Sequence, residues 1–116
     1  MSFEFGREAT KEFKKLAKKY TTLDEDLAAF EKVLNQWPTG YGKNFAVISD
    51  YTSVVIVKAR ILSRSLKGSP KMRVIYAYYP NEDKVVYIEF YLKGKKDSED
   101  RQRIKRFLPD AETRFG

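Results

Sequence analysis

The chain reads as one α+β domain, and three observations predict it. Its 116 residues suffice to bury an ordinary core without staples and leave no room for a second domain, so residues 1–116 are read as one unit. Apolar residues recur at helical spacing as far as Trp37, and from Phe45 the pattern changes to extended runs rich in β-branched and aromatic residues. Gly and Pro are sparse while Tyr and Phe number eight each, the composition of an ordered domain with no disordered linker.

Phe3–Phe5 reads as a short first strand. It leads into a helix from about Arg7 to Tyr20, where Ala9, Phe13, Leu16, Ala17 and Tyr20 share a face and lysines occupy the outer one. Thr22-Leu-Asp-Glu25 has the form of a capping box opening a second helix, whose apolar positions are Leu27, Phe30, Leu34 and Trp37 and which Pro38 and Gly40 stop. The short joint at Thr21 and Thr22 predicts an antiparallel helical hairpin. Phe45 through Ile48, Val54–Leu62, Met72–Tyr79 and Val85–Leu92 then read as an antiparallel meander. Pro80–Asp83 turns between the last two strands, and Ser63–Pro70 forms a longer basic loop before them. Asp97 or Ser98 can cap a last helix that runs to about Leu108 and pairs Glu99 with Arg103, before Pro109 ends it.

Charge is unevenly spread. There are 23 Lys and Arg against 16 Asp and Glu, a net charge of +7. Between Tyr51 and Asn81, six cations (Lys58, Arg60, Arg64, Lys67, Lys71 and Arg73) stand with no acidic residue until Glu82. Positive charge gathered on predicted strands describes a basic face, whose commonest partner is a phosphate backbone. The chain has no Cys and no His, which excludes disulfides, thiolate metal sites, Cys nucleophiles and the usual near-neutral proton shuttle. Any catalysis falls to Lys, Arg, Tyr, Asp or Glu. The charged start MSFEFGREATKEF lacks a secretory signal's apolar run and no stretch is long enough to span a membrane, so a cytoplasmic protein is expected.

Strand alternation places Lys58 and Arg60 on one face, about 7 Å apart, with Val55, Val57, Ala59 and Ile61 on the other. Arg73 opens its strand on a mostly apolar face with Ile75, Ala77 and Ile88. The Tyr79–Lys84 turn predicts Phe90 opposite it. It is either a partner in an internal salt bridge, for which Glu89 is available, or a guanidinium set to receive a phosphate. The same register puts Tyr76, Tyr78, Tyr87 and Tyr91 on one face. Tyr76 and Tyr87 read as packing residues. Tyr91, beside Lys93, Lys95 and Lys96, could stack on an unpaired base or move a proton. Glu89 reads as a structural partner for an arginine, with a general base as the alternative.

Two N-terminal helices, a basic meander with Lys58-Ala-Arg60, then Met72-Arg-Val-Ile-Tyr76 and Tyr91-Leu-Lys93 before a short last helix resemble the RelE/ParE superfamily of bacterial type II toxins. The likeness covers roughly residues 13–108 and looks closest to RelE- and HigB-like members. It implies two helices packed on a four- or five-stranded, mainly antiparallel twisted sheet. It also implies a ribosome-dependent mRNA endoribonuclease, neutralised by a cognate antitoxin, that works without metal or cofactor by 2′-hydroxyl attack on the adjacent phosphate. On this resemblance Lys58, Arg60, Arg73 and Tyr91 are the catalytic set, with Lys58 a base whose proton affinity its cationic neighbours lower. Arg64, Lys67, Lys71, Lys93, Lys95 and Lys96 are the RNA-binding cations. Asp100 stands where RelE has a tyrosine on its last helix, and Gly94 where the family has an arginine. ParE-type members on the same scaffold bind DNA gyrase instead, and an RNA-binding relative without activity has the same charge pattern.

Overall fold

The computed structural model describes residues 1–67 and 72–109. The order of elements is β1 (Ser2–Phe5), α1 (Arg7–Lys19), α2 (Leu23–Gln36), β2 (Phe45–Asp50), β3 (Val55–Ile61), β4 (Met72–Tyr79), β5 (Lys84–Leu92) and α3 (Arg101–Lys105). The α+β class is as expected, and the sheet has five strands in the order β1-β5-β4-β3-β2. β2 to β5 form the expected antiparallel meander. β1 is parallel to β5, so the sheet is mixed.

The first two helices cover one face. α1 lies against β5 and α2 against β3. Ala9, Phe13, Leu27, Phe30 and Leu34 close on Val57, Ala59, Ile61, Val74, Tyr76, Tyr87 and Phe90. Phe5, Phe13, Tyr87 and Phe90 pack ring to ring with centroids 4.9–5.8 Å apart, which adds edge-to-face attraction to burial. The buried Tyr76 and Tyr87 hydroxyls donate to the Pro38 carbonyl and to Glu31 at 2.9 and 2.7 Å.

Three local expectations fail for identifiable reasons. Thr22 precedes α2 but caps none of its backbone amides. Its hydroxyl donates to the buried Asp26 carboxylate at 2.8 Å and accepts from the Ser65 N–H at 3.0 Å, while Glu25 pairs with Arg64. The demand of a buried carboxylate for donors outweighs the local motif. Trp37 lies beyond α2, partly exposed against Tyr41 at 4.5 Å. α3 is shorter than expected, and its cap is Asp100, which accepts from the Arg103 N–H at 3.0 Å, rather than Asp97 or Ser98. Glu99 pairs with Lys58 and Arg101 instead of Arg103.

The second face is only half covered. Val54, Ile56, Ile75, Ala77, Ile88 and Tyr91 meet Ile104 of α3, and among the described residues the sheet opens beyond this patch, where Arg60 is exposed. Hydrogen bonds from Lys58 Nζ to Glu99 and from the Asp100 N–H to Glu89, 2.9 and 2.8 Å long, tie α3 and the segment before it to the sheet.

Candidate functional site

The open half of the second face holds a pocket of about 190 Å³ lined by Lys43, Asn44, Phe45, Ala46, Lys58, Ala59, Arg60, Arg73, Tyr91 and Lys93. All four residues expected to be catalytic line it. They arrive by different routes.

Lys58 and Arg60 get there by alternation alone. β3 sends Val57, Ala59 and Ile61 into the helical core, so the residues between them point the other way. The same face also carries buried Val54 and Ile56, so the cations emerge at the margin of a second core. Arg60 stands directly opposite Arg73 across β3 and β4.

Tyr91 gets there through a bulge. Between Ile75 and Tyr76 the β4–β5 register shifts: Tyr76 faces Tyr87 but Ile75 faces Glu89, which leaves Ile88 as the extra residue. Beyond this point Phe90 turns into the helical core while Glu89 and Tyr91 move to the pocket face. Two expectations are thereby corrected. Arg73 faces Tyr91 rather than Phe90. Tyr91 leaves the face it was expected to share with Tyr76 and Tyr87.

The bulge is held from outside the sheet. β1 ends at Phe5, opposite Tyr87, so the outer edge of β5 continues without a strand. Side chains take over its polar groups: Arg103 Nη1 donates to the Ile88 carbonyl at 2.9 Å, and Glu12 accepts from the Phe90 N–H at 3.1 Å. Glu12 and Arg103 also bind each other through two hydrogen bonds of 2.8 and 2.9 Å. Among the described residues Arg103 Nε has no hydrogen-bond partner, and it lies 3.5 Å from Glu8 and 3.8 Å from Asp100.

Electrostatically the site is basic but braced. Burial, then the neighbouring Arg60, lowers the Arg73 pKa from its ordinary value against the pull of Tyr91. Lys58 has found a carboxylate as well as cations: it donates to Glu99 at 2.9 Å. Burial pushes Glu99 up, but the Lys58 hydrogen bond, its own backbone and the charges of Lys58 and Arg101 bring it below the usual carboxylate range. Tyr91 is 6% exposed, so its ring is no open platform for a base. Burial, Glu99 and Glu89 push its hydroxyl up against Arg73.

The expected RNA-binding cations scatter. Lys93 lines the pocket and donates to the Asp97 carbonyl at 2.8 Å. Lys96 is bound to Glu89, a fully buried carboxylate that also accepts from the Asp100 N–H and is therefore structural. Arg64 is drawn to Glu25 and Asp26 at the start of α2. Lys95 faces α1, Lys67 is exposed, and Lys71 lies outside the described residues. Asp100 is engaged as a helix cap, and Gly94 has φ +103°, a conformation an arginine would adopt only with strain.

Sequence reasoning missed Lys43, Asn44 and Glu99. A glycine was the available signal for the first two: Gly40, at φ +76°, sits so close to the Phe45 ring that a Cβ would collide with it. The Phe45 ring in turn stacks on Phe30. The segment before β2 is thus packed down rather than loose, and it brings Lys43 and Asn44 to the pocket rim. Among the described residues no His, Cys, Asp or Glu cluster could hold a metal ion, and no helix is long and apolar enough to cross a membrane. No protein-family model, curated protein or solved structure matches the chain.

Proposed function

We propose that the pocket receives a phosphate of an RNA backbone and that the protein is a RelE/ParE-like toxin, a ribosome-dependent mRNA endoribonuclease. The observation that carries this reading is the direct opposition of Arg60 and Arg73. Like charges facing each other across a strand pair repel, and burial, then the neighbouring Arg60, holds the Arg73 pKa below its ordinary value. An oxyanion between the two guanidiniums turns the repulsion into a pair of charge-assisted hydrogen bonds.

In the reaction the 2′-hydroxyl oxygen attacks the adjacent phosphorus and the bond to the 5′ oxygen breaks. The products are a cyclic phosphate and a free 5′-hydroxyl. Arg60 and Arg73 balance the charge that builds on the phosphate oxygens. Tyr91, neutral and opposite Arg73, supplies the proton of the leaving oxygen. Lys58, the base that the resemblance implies, takes up the proton of the attacking hydroxyl.

A second reading is binding without cleavage, either as an RNA-binding relative or as a ParE-like gyrase inhibitor. Engagement of Lys58 by Glu99 and the raised Tyr91 hydroxyl favour it, because both weaken proton transfer and leave anion binding intact. Primer extension on a defined mRNA, with and without translating ribosomes, separates the two. The nuclease reading expects ribosome-dependent cuts that fall by about a hundredfold or more in Arg73→Ala. Intact RNA in every lane, with binding that weakens steeply in salt, leaves the second reading.

A further inference from the structure

Tyr91 is too enclosed to stack on a base, but another aromatic beside the pocket is open. Tyr41 is 62% exposed and lines a hollow of about 410 Å³ between α2 and the start of β2. This hollow and the pocket share a wall, because Lys43, Asn44, Phe45 and Arg60 border both. The wall is fixed through the backbone, where the Arg60 N–H donates to the Asn44 carbonyl at 2.9 Å. Cations on one side and an open ring on the other are the two things a single strand asks of a surface, one for its phosphates and one for the flat faces of its bases.

The hollow has the make-up of a base site. Phe30, Val33 and Phe45 line it, with the Phe45 ring stacked on Phe30 at 5.8 Å, and Leu62 joins Tyr41 as an exposed apolar wall. An aliphatic side chain of a protein partner would bury against these groups but would leave Lys43, Arg60 and the Asn44 amide unanswered, whereas a nucleotide answers all three. Asp26, which also lines the hollow, is buried and held by Thr22 and Arg64.

The Tyr41 backbone is set on both sides. Before it, the Gly40 N–H donates to the Trp37 carbonyl at 2.8 Å and the Pro38 carbonyl accepts from the Tyr76 hydroxyl at 2.9 Å. After it, the Phe45 N–H donates to the Gly42 carbonyl at 3.3 Å. The Trp37 ring packs against the Tyr41 ring with centroids 4.5 Å apart. A ring already placed at the surface loses little further freedom when a base covers it.

We propose that Tyr41 is a stacking platform for a nucleobase flanking the phosphate bound at Arg60 and Arg73. The inference rests on the reading of the pocket as a phosphate site, and it holds whether or not the strand is cut. Because every base has a π face, the platform adds affinity without sequence preference.

The test compares two labelled strands of equal length by fluorescence anisotropy: a short 2′-O-methyl RNA, whose blocked hydroxyl cannot attack, and an abasic phosphodiester strand. The natural protein should bind the base-bearing strand about tenfold more tightly than the abasic one. Tyr41→Ala should abolish that difference by weakening the base-bearing strand alone, and Tyr41→Phe should restore it. Tyr41 is largely exposed, so the alanine variant should keep its melting temperature. Trp37 is the chain's one tryptophan, and its emission should respond to the base-bearing strand and not to the abasic one. Arg73→Ala should weaken both strands. Equal affinity of the natural protein for the two strands, or an equal loss on both in Tyr41→Ala, would overturn the stacking platform and leave the phosphate site standing. Binding of the abasic strand that ignores Arg73→Ala would overturn the phosphate site and the platform with it.

Discussion

The pocket and the outer face of α1, where Lys11, Lys14, Lys15, Lys18 and Lys19 stand exposed, are both basic, yet their charge is held in opposite ways. In and beside the pocket Lys58 donates to Glu99, Lys93 to the Asp97 carbonyl and Lys96 to Glu89, and Arg60 and Arg73 are set by strand register. The three lysines have given up rotamer freedom and part of their hydration on folding, so a ligand meets them in place. Among the described residues the α1 lysines join no ion pair, and apart from Lys19, 5.6 Å over the Tyr20 ring, they keep both. Their attraction reaches about 8 Å in physiological salt and is easily screened. Counting charge along a chain finds where cations are; it does not find which of them folding has fixed.

The contrast can be broken most severely at Arg103. Arg103→Ala leaves Glu12 uncompensated and frees the Ile88 carbonyl, and the expected loss is about 2–4 kcal/mol in urea unfolding, discounted because Glu12 is partly hydrated. Pocket binding should fall with it. Replacing Lys15 by Ala should change stability by no more than about 0.5 kcal/mol. A stable Arg103→Ala protein would show that α3 and the bulge hold themselves.

A smaller effect, of opposite sign for binding, is expected at Glu99. Glu99→Gln releases Lys58 to face the pocket as an uncompensated cation, so phosphate or RNA affinity measured by calorimetry should rise about threefold to tenfold while the protein loses some stability. Weaker binding would mean that Glu99 positions Lys58 rather than competing with its ligand.

The mildest distinction is acid sensitivity. Three carboxyls around α3 lie below their ordinary values. Glu8 is lowered first by its hydrogen bond from Arg106, and Asp100 first by the Arg103 N–H. Glu99 is raised by burial but lowered further by Lys58 and its other partners. A carboxyl depressed by folding adds stability above its unfolded pKa, and that contribution is lost as pH falls through the folded one. Stability should therefore be level above about pH 5 and decline below it, with α3 loosening before the helical core. Hydrogen exchange at Ile104 against Phe30, followed from neutral to acid pH, checks the order. Simultaneous loss would place the acid-labile contacts elsewhere.

Much of the fold was legible because it rests on short-range pattern. The boundaries of α1 and of β3, β4 and β5 fall within a residue or two of where periodicity places them. The shared face of Lys58 and Arg60 follows from a repeat of two. Local motifs failed where a distant group made a better offer: Thr22 turned to Ser65, and Glu99 to Lys58.

By itself, then, the sequence determined an α+β domain with its meander, its helical core and two cations on one strand face, because each depends on neighbours a few residues away. Only the tertiary structure decided that Tyr91 joins them. Continued alternation would bury Glu89 among Tyr76, Tyr87 and Phe13. A single extra residue at Ile88 instead sends Phe90 into that core and turns Glu89 toward Lys96 and Asp100. The polar groups that the bulge exposes are satisfied by Glu12 and Arg103, which lie 91 positions apart in the chain. A choice whose cost and compensation lie that far apart leaves no local pattern to read.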